Sequence, residues 1–237
     1  MEIKLFKKPK NPIIINGFPG FGLVGTIATE FLLDHLKTEF IGKIWIDELQ
    51  PMVAVHEGKL VEPLGIFYNK NYNIVIVHGI TAIKGFEWKV AEAVIEISQQ
   101  LNAKEIICLE GVGSLQPTDE EPKTYYYAST EKAKQGLKKA GCEDLKEGII
   151  MGVSGCILIR GDRFLNSCIF AETHSNLPDS KAAAKVIEVL DKYLGLKVDY
   201  KQLLEQAEKF EDKLKSILQK GQEAEKLKDL KNLSYMG

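Results

Sequence analysis

The sequence lacks an excess of charge of either sign, a long apolar run and an apolar leader. Its 31 basic and 33 acidic residues leave a formal net charge of -2, so it offers no electrostatic footprint for nucleic acid or an anionic membrane. No apolar run approaches the roughly 20 residues needed to cross a bilayer. The first residues, Met1 to Lys10, alternate lysines with single apolar residues and lack the core of a signal peptide. We therefore expect a cytoplasmic protein that binds neither nucleic acid nor membranes.

Cysteines are few, and motifs for catalysis or cofactor binding are scarce. The four cysteines, Cys108, Cys142, Cys156 and Cys168, include no C-x-x-C pair, which favours buried, reduced thiols. The sequence has no Walker lysine motif, no zinc-ligand spacing and no G-x-S-x-G elbow around Ser154. We therefore expect no catalytic residue, no metal and no cofactor, and a protein that binds other proteins rather than an enzyme.

The sequence does contain an alternation of short apolar runs with helical stretches over residues 1–198. Residues 65–68 and 73–78 predict an antiparallel hairpin. Residues 148–151 and 168–171 predict two further strands with a short helix between them. This alternation predicts an α/β core domain with a mixed, mostly parallel sheet.

Helices are predicted by apolar residues that recur every three or four positions. Residues 22–36 and 86–101 have this spacing. A third helix ends near Leu194, with Asp179 as a plausible N-cap and Gly195 as its stop.

A charged segment, residues 199–231, follows the core domain and differs from it in kind. It holds eight acidic and eight basic residues, with a narrow apolar seam at helical spacing. We expect a helix outside the main layers, either solvated with one docked stripe or self-associating as a coiled coil. The seam residues, which we assign to oligomer or partner contact, are Leu203, Ala207, Phe210, Leu214 and Ile217.

A short tail, residues 232–237, ends the chain without a charged side chain. Such a segment cannot fold alone, and frayed disorder is the simple interpretation. The functional interpretation is a tethered peptide ligand. In that case Leu233, Tyr235 and Met236 are apolar anchors, and the carboxylate of Gly237 pairs with a lysine of the partner.

A glycine-rich turn lies between the first buried strand and the first helix. Residues 20–25 match the dinucleotide fingerprint G-x-G-x-x-G, and Asp47 ends the next strand pattern, where a ribose-binding acid is expected. Two features argue against a nucleotide site: Phe21 puts a bulky ring in the loop, and residues 52–73 continue as strands. We favour a structural turn that packs helix against sheet. Its glycines are Gly17, Gly20, Gly22 and Gly25.

Several polar residues come directly after predicted strands, where open α/β sheets form their ligand crevice. Glu172 and His174 are two apart and have the chemistry for metal or acid–base work, although local spacing indicates no third ligand. The simple interpretation is that these side chains cap strand and helix ends. The alternative function is a small-molecule or nucleotide-binding enzyme that uses the glycine turn and the strand-end carboxylates. The full set is Asn16, His78, Glu110, Glu172 and His174.

Several of these segments together resemble one family. Residues 16–25 (Asn-Gly-Phe-Pro-Gly-Phe-Gly-Leu-Val-Gly) resemble the opening signature of the proteasome-assembly-chaperone family in its archaeal form. The same holds for residues 110–113 (Glu-Gly-Val-Gly), for 152–155 (Gly-Val-Ser-Gly), and for 171–174 (Ala-Glu-Thr-His), which run into Leu-Pro-Asp. Residues 199–214 resemble the family's C-terminal helix. The resemblance covers nearly the whole chain.

The resemblance implies a three-layer α/β/α fold shaped like nucleoside phosphorylases, a homo-oligomer and a non-catalytic role in proteasome assembly. It also implies that the C-terminal helix and tail bind proteasome α subunits or the core particle. The family's activating tail has a penultimate tyrosine after an apolar residue. In this sequence Tyr235 is third from the end and follows Ser234, which argues against gate opening and leaves docking possible. An oligomeric scaffold for another protein is the remaining alternative.

Overall fold

The computed structural model describes residues 1–49, 53–56, 58–81, 83–113, 121–173 and 178–205. The strands, in chain order, are β1 (Glu2–Leu5), β2 (Ile13–Gly17), β3 (Glu39–Trp45), β4 (Ala54–His56), β5 (Lys59–Val61), β6 (Leu64–Asn69), β7 (Ile74–Gly79), β8 (Glu105–Gly113), β9 (Thr124–Ala128), β10 (Glu143–Asp144) and β11 (Asn166–Thr173). The helices are α1 (Val24–His35), α2 (Glu87–Leu101), α3 (Glu131–Lys139), α4 (Gly152–Arg160), α5 (Ser180–Leu194) and α6 (Lys201–Glu205), and a 3-10 turn (Phe21–Leu23) precedes α1.

Nine of these strands form one mixed sheet in the order β1-β3-β6-β7-β2-β8-β11-β9-β10. The four central strands, β7, β2, β8 and β11, are parallel to one another. Antiparallel pairs flank them, among them the predicted hairpin of β6 and β7. Strands β4 and β5 form a separate two-stranded sheet.

Helices cover the large sheet on both faces, because successive side chains of a strand point to opposite sides. Ile15 and Ile107 belong to a core that includes buried residues of α1, α3 and α5. Ile14 and Ile106, one position earlier on the same strands, belong to a second core with α2 and α4. The molecule therefore has three layers, α/β/α, and the predicted α/β fold with a mixed sheet is confirmed. Four of the eight strand pairs in the large sheet are parallel, so the sheet is evenly mixed rather than mostly parallel.

The ends of α5 follow from its sequence as predicted. Asp179 accepts a hydrogen bond from the backbone N–H of Ala182 at 2.9 Å and so caps the N-terminus. Gly195 adopts φ 69° just after the last helical residue, a left-handed conformation that glycine adopts readily. These two residues fix the length of the helix that covers β8 and β11.

The strand predicted at residues 148–151 is wrong. This segment is irregular and leads into α4, and Gly152 turns the chain into the helix with φ 73°. Ile149 and Met151 are 86% and 63% exposed, while Ile150 packs against the core under α2. The run of three apolar residues that suggested a strand therefore contains a single docked residue between two exposed ones.

The start of the charged C-terminal segment contacts the core domain. Leu203, in α6, is fully buried and belongs to the core that α5 covers. The prediction that Leu203 faces an oligomer or partner is therefore wrong, because its side chain completes the chain's own core. Residues 206–237, which hold the other seam residues and the tail, lie outside the described residues, so the boundary after residue 198 stays a prediction. No helix in the described ranges is long and apolar enough to span a bilayer.

Candidate functional site

The polar residues that follow the predicted strands lie at the same end of the sheet but not on the same face. Because the four central strands are parallel, their carboxyl ends meet there. His78 points toward α1, on the opposite face from Asn16 and Glu110. The structure places Asn16 on β2, His78 on β7, Glu110 on β8 and Glu172 on β11, each at or near the end of its strand. His174 lies outside the described residues.

The glycine turn after β2 lies directly on these strand ends. A Cβ atom on Gly17 would come within 2.1 Å of the Gly25 carbonyl oxygen, and one on Gly25 within 2.2 Å of the Leu109 carbonyl oxygen. These approaches are shorter than any real Cβ contact. The first turn of α1 therefore packs backbone to backbone against β2 and β8.

The middle of the turn is held by β11 and by the start of α5. Gly22 has φ 59°, and a Cβ on it would lie 2.5 Å from Thr173 Oγ1. The carbonyl oxygen of Gly22 accepts a hydrogen bond from the Asp179 N–H at 2.9 Å. Thr173 Oγ1 donates to Asp179 Oδ2 at 2.8 Å. The Gly22 carbonyl and the space beside Gly22 are thus used within the protein.

Asp47 does not occupy the place of a ribose-binding acid. It follows β3, and β6 and β7 separate β3 from β2, which carries the glycine turn. At about 4.8 Å per strand this separation is roughly 14 Å, whereas a dinucleotide site needs the acid on a neighbouring strand. Asp47 Oδ1 instead accepts a hydrogen bond from Trp45 Nε1 at 2.7 Å. The dinucleotide fingerprint therefore lacks its ribose-binding acid.

Among the carboxyl groups at the strand ends, Glu110 has the pKa that is shifted furthest from its ordinary value. Ser154 Oγ, from the first turn of α4, donates to Glu110 Oε1 at 2.5 Å. Glu110 Oε2 lies under Gly20, where an added Cβ would be only 3.0 Å away. Burial raises the pKa of Glu110 to about 7, although the Ser154 hydroxyl favours the charged form. A half-buried carboxyl group between loop and helix therefore changes protonation near neutral pH.

His78 and Asn16 are held by their neighbours. The Nδ1 atom of His78 lies 2.8 Å from Thr29 Oγ1, and its Nε2 atom lies 2.9 Å from Glu30 Oε2. Asn16 Nδ2 donates to the Ile107 carbonyl oxygen at 3.3 Å. Each polar group therefore joins two elements of the fold.

Glu172 accepts a hydrogen bond from the Tyr125 hydroxyl at 2.9 Å. Burial, together with this bond to Glu172, raises the pKa of Tyr125 to about 12. The bond joins β9 to β11 and leaves the phenol protonated at neutral pH. Within the described ranges no group of three or more His, Cys, Asp or Glu side chains has the arrangement of a metal site.

The cysteines are buried and free, as the sequence predicted. Cys108 and Cys168 face each other on the neighbouring strands β8 and β11. A hydrogen bond with Cys108, together with burial, raises the pKa of Cys168, and burial raises the pKa of Cys142 to about 11. These two thiols stay protonated and unreactive at neutral pH.

Asn16, His78, Glu110 and Glu172 lie at or near strand ends as predicted, but their partners were not predictable from the sequence. Ser154 is far from Glu110 in sequence, and only the packing of α4 beside β8 brings the two together. The predicted tail contacts Leu233, Tyr235, Met236 and Gly237 lie outside the described residues. The same holds for the seam residues Ala207, Phe210, Leu214 and Ile217.

Comparison with known proteins gives consistent matches along the chain. A family model described as the PAC2 family matches residues 14–218. An uncharacterized protein of Methanocaldococcus jannaschii is 29% identical over 223 residues, which is 91% of each chain. The structure of Pyrococcus furiosus PbaA, an archaeal homologue of proteasome-assembly chaperone, is similar with a TM-score of 0.83 and 31% identity, covering 94% of this chain and 100% of PbaA. Pyrococcus furiosus PbaB, an archaeal proteasome activator, shares the fold with a TM-score of 0.75 at 24% identity, covering 91% and 98%.

Proposed function

This chain belongs to the PAC2 family, and on that basis we propose that it is a non-catalytic, proteasome-associated assembly chaperone that acts in the cytoplasm. The observation that carries the proposal is the similarity to PbaA along almost the whole chain. PbaA is an archaeal homologue of proteasome-assembly chaperone, and we extend that role to this chain.

A non-catalytic role fits the way in which the strand-end groups are used. The Gly22 carbonyl bonds the Asp179 N–H, and Glu110 accepts the Ser154 hydroxyl. Enzymes place such groups toward an open pocket that the substrate enters. Here they fasten the glycine turn, α4 and α5 to the sheet, which supports a scaffold rather than a reaction centre.

The proposed partner is the α subunit of the proteasome, bound through the C-terminal segment. Leu203 anchors the start of this segment to the core, so the residues after α6 begin at a fixed point on the surface. The seam residues Ala207, Phe210, Leu214 and Ile217 continue the helical spacing from Leu203. A helix extends about 1.5 Å per residue, so this segment would carry the tail away from the domain.

The tail supplies the proposed anchors of the contact. Leu233, Tyr235 and Met236 are apolar, and the carboxylate of Gly237 would pair with a lysine of the α subunit. We further propose that the chain forms a closed homo-oligomer, which would present several tails at once and turn weak docking into avidity. Gate opening is not part of the proposal, since Tyr235 is not penultimate.

Deletion of residues 233–237 tests this function. We expect unchanged folding and oligomer size in sedimentation, and loss of binding to immobilised proteasome α subunits in interferometry. Tyr235→Ala should weaken binding by about 1–3 kcal/mol if the ring is a buried anchor. Ser234→Ala is the matched control and should bind like the unmodified protein.

Equal binding by the truncated and intact proteins would show that the tail is not the contact. Failure of the intact protein to bind α subunits at all would remove the proposed partner.

A further inference from the structure

A cavity of about 340 Å³ lies where the C-terminal ends of α1 and α5 meet the turn between β6 and β7. It is far in sequence from the strand-end residues and from the tail. Nine residues line it: His35, Leu36, Lys37, Asn69, Lys70, Asn71, Tyr72, Leu196 and Lys197.

Hydrogen bonds from Asn69 and Tyr72 hold the floor of this cavity together. Asn69 Nδ2 donates to the Leu36 carbonyl oxygen at 2.6 Å, and Asn69 Oδ1 accepts the Tyr72 N–H at 3.0 Å. The Tyr72 hydroxyl donates to the Leu196 carbonyl oxygen. The β6–β7 turn thus ties the ends of both helices together.

The rim carries a local excess of positive charge. Lys37, Lys70 and Lys197 line the cavity, and the lining includes no acidic residue. Each helix C-terminus contributes roughly half a negative charge, so the two ends offset about one lysine. About two positive charges remain, in a chain whose formal net charge is -2.

Two of these lysines occupy positions that disfavour a side chain. Lys37 has φ 51° and Lys197 has φ 55°, a left-handed conformation that glycine or asparagine usually takes after a helix. Glycine would therefore be the more stable residue for the backbone at both positions. Their lysine side chains bring charge to the cavity at some cost in backbone energy.

We propose that this lysine cup, formed by Lys37, Lys70 and Lys197 over the floor of Asn69 and Tyr72, binds a small multivalent phosphate compound. Lysine binds phosphate as a point charge, and two or more neighbouring negative charges match the excess at the rim. The volume is at the lower end of the range for small-molecule sites, and the mostly polar lining does not suit an apolar ligand. Pyrophosphate and a triphosphate group have the required chemistry, whether free or carried by a nucleotide.

Calorimetric titration with inorganic pyrophosphate and tripolyphosphate at low ionic strength tests the site, with ATP and citrate as further ligands. We expect one site per chain, whose affinity falls as salt is added because the contact is electrostatic. If ATP binds as tightly as tripolyphosphate, the site recognises only the polyphosphate group. If ATP binds more tightly, the site also recognises the nucleoside. Both results support the lysine cup. Citrate that binds as tightly as pyrophosphate would overturn the assignment to phosphate.

The variants separate binding from stability. The double variant Lys37→Gly and Lys197→Gly replaces two lysines of left-handed backbone conformation with glycine, so thermal stability should stay equal or rise. It also removes two positive charges, so the affinity for pyrophosphate should fall about tenfold or more. Lys146→Gln, at an exposed lysine elsewhere, is the control and should bind normally. No saturable binding by the intact protein, or equal binding by the double variant, would refute the cup. Neither result depends on whether the tail binds α subunits.

Discussion

Replacing Glu110 with glutamine should stabilise the protein, and the gain over the unmodified chain should be larger at neutral pH than at acidic pH. Burial raises the pKa of Glu110 from 4.5 to about 7, and one pKa unit corresponds to about 1.4 kcal/mol. Ionising this group in the folded state would therefore cost about 3.5 kcal/mol if the side chain were fully buried. We expect about 2–3 kcal/mol because the side chain keeps some exposure.

The sign follows from proton linkage. Below about pH 4.5 the carboxyl group is protonated in both states, and it does not affect the stability. Between about pH 4.5 and 7 the unfolded chain releases the proton first, so the free energy of unfolding falls as pH rises. Above pH 7 the loss is complete. Glutamine keeps the size of the side chain and can accept the Ser154 hydroxyl, but it does not ionise.

Urea denaturation of both proteins between pH 4 and 9 measures this difference. We expect similar stability near pH 4.5 and an advantage for Glu110→Gln above pH 7.5, equivalent to roughly 5–10 °C in melting temperature. Glu147→Gln, at an exposed carboxylate, is the control and should show no such trend. A difference between Glu110→Gln and the unmodified protein that stays constant with pH would refute the burial argument.

Two further substitutions test the packing. Gly25→Ala puts a Cβ 2.2 Å from the Leu109 carbonyl oxygen and should cost about 3 kcal/mol of unfolding free energy. Gly113→Ala, with nothing within 4 Å, should cost less than about 0.5 kcal/mol; equal losses in urea denaturation would contradict the close approach. Leu203→Ala empties a fully buried site and should cost about 2–5 kcal/mol. Leu204→Ala, 45% exposed, should cost much less, and equal melting temperatures would show that α6 is not docked.

The layered fold was predictable because its elements carry strong local signals. The hairpin of β6 and β7, the helix caps at Asp179 and Gly195, and the buried run at residues 13–15 each follow from spacing or turn chemistry. The strand predicted at residues 148–151 was wrong because a short apolar run, Ile149 to Met151, has the same pattern whether or not a neighbouring strand exists. Strand pairing is a property of the whole sheet, which local spacing does not contain.

The positions of the candidate site residues were predictable only where the direction of the strands determines them. Parallel strands bring Asn16 and Glu110 to one edge whatever their side chains do. The role considered for Asp47 failed because sheet order inserts two strands between β2 and β3. The lysine cup gave no signal at all, since its three lysines come from separate segments and each resembles an ordinary surface residue.

The two edges of the sheet restrict how copies of this chain can meet. Within the described residues the outermost strands are β1 and β10. Strand β10 has two residues, and β1 alternates exposed Glu2 and Lys4 with half-buried residues. Short or charged edges give an incoming strand few backbone bonds and discourage edge-to-edge aggregation. The two outer strands of the large sheet therefore resist open-ended growth by strand addition.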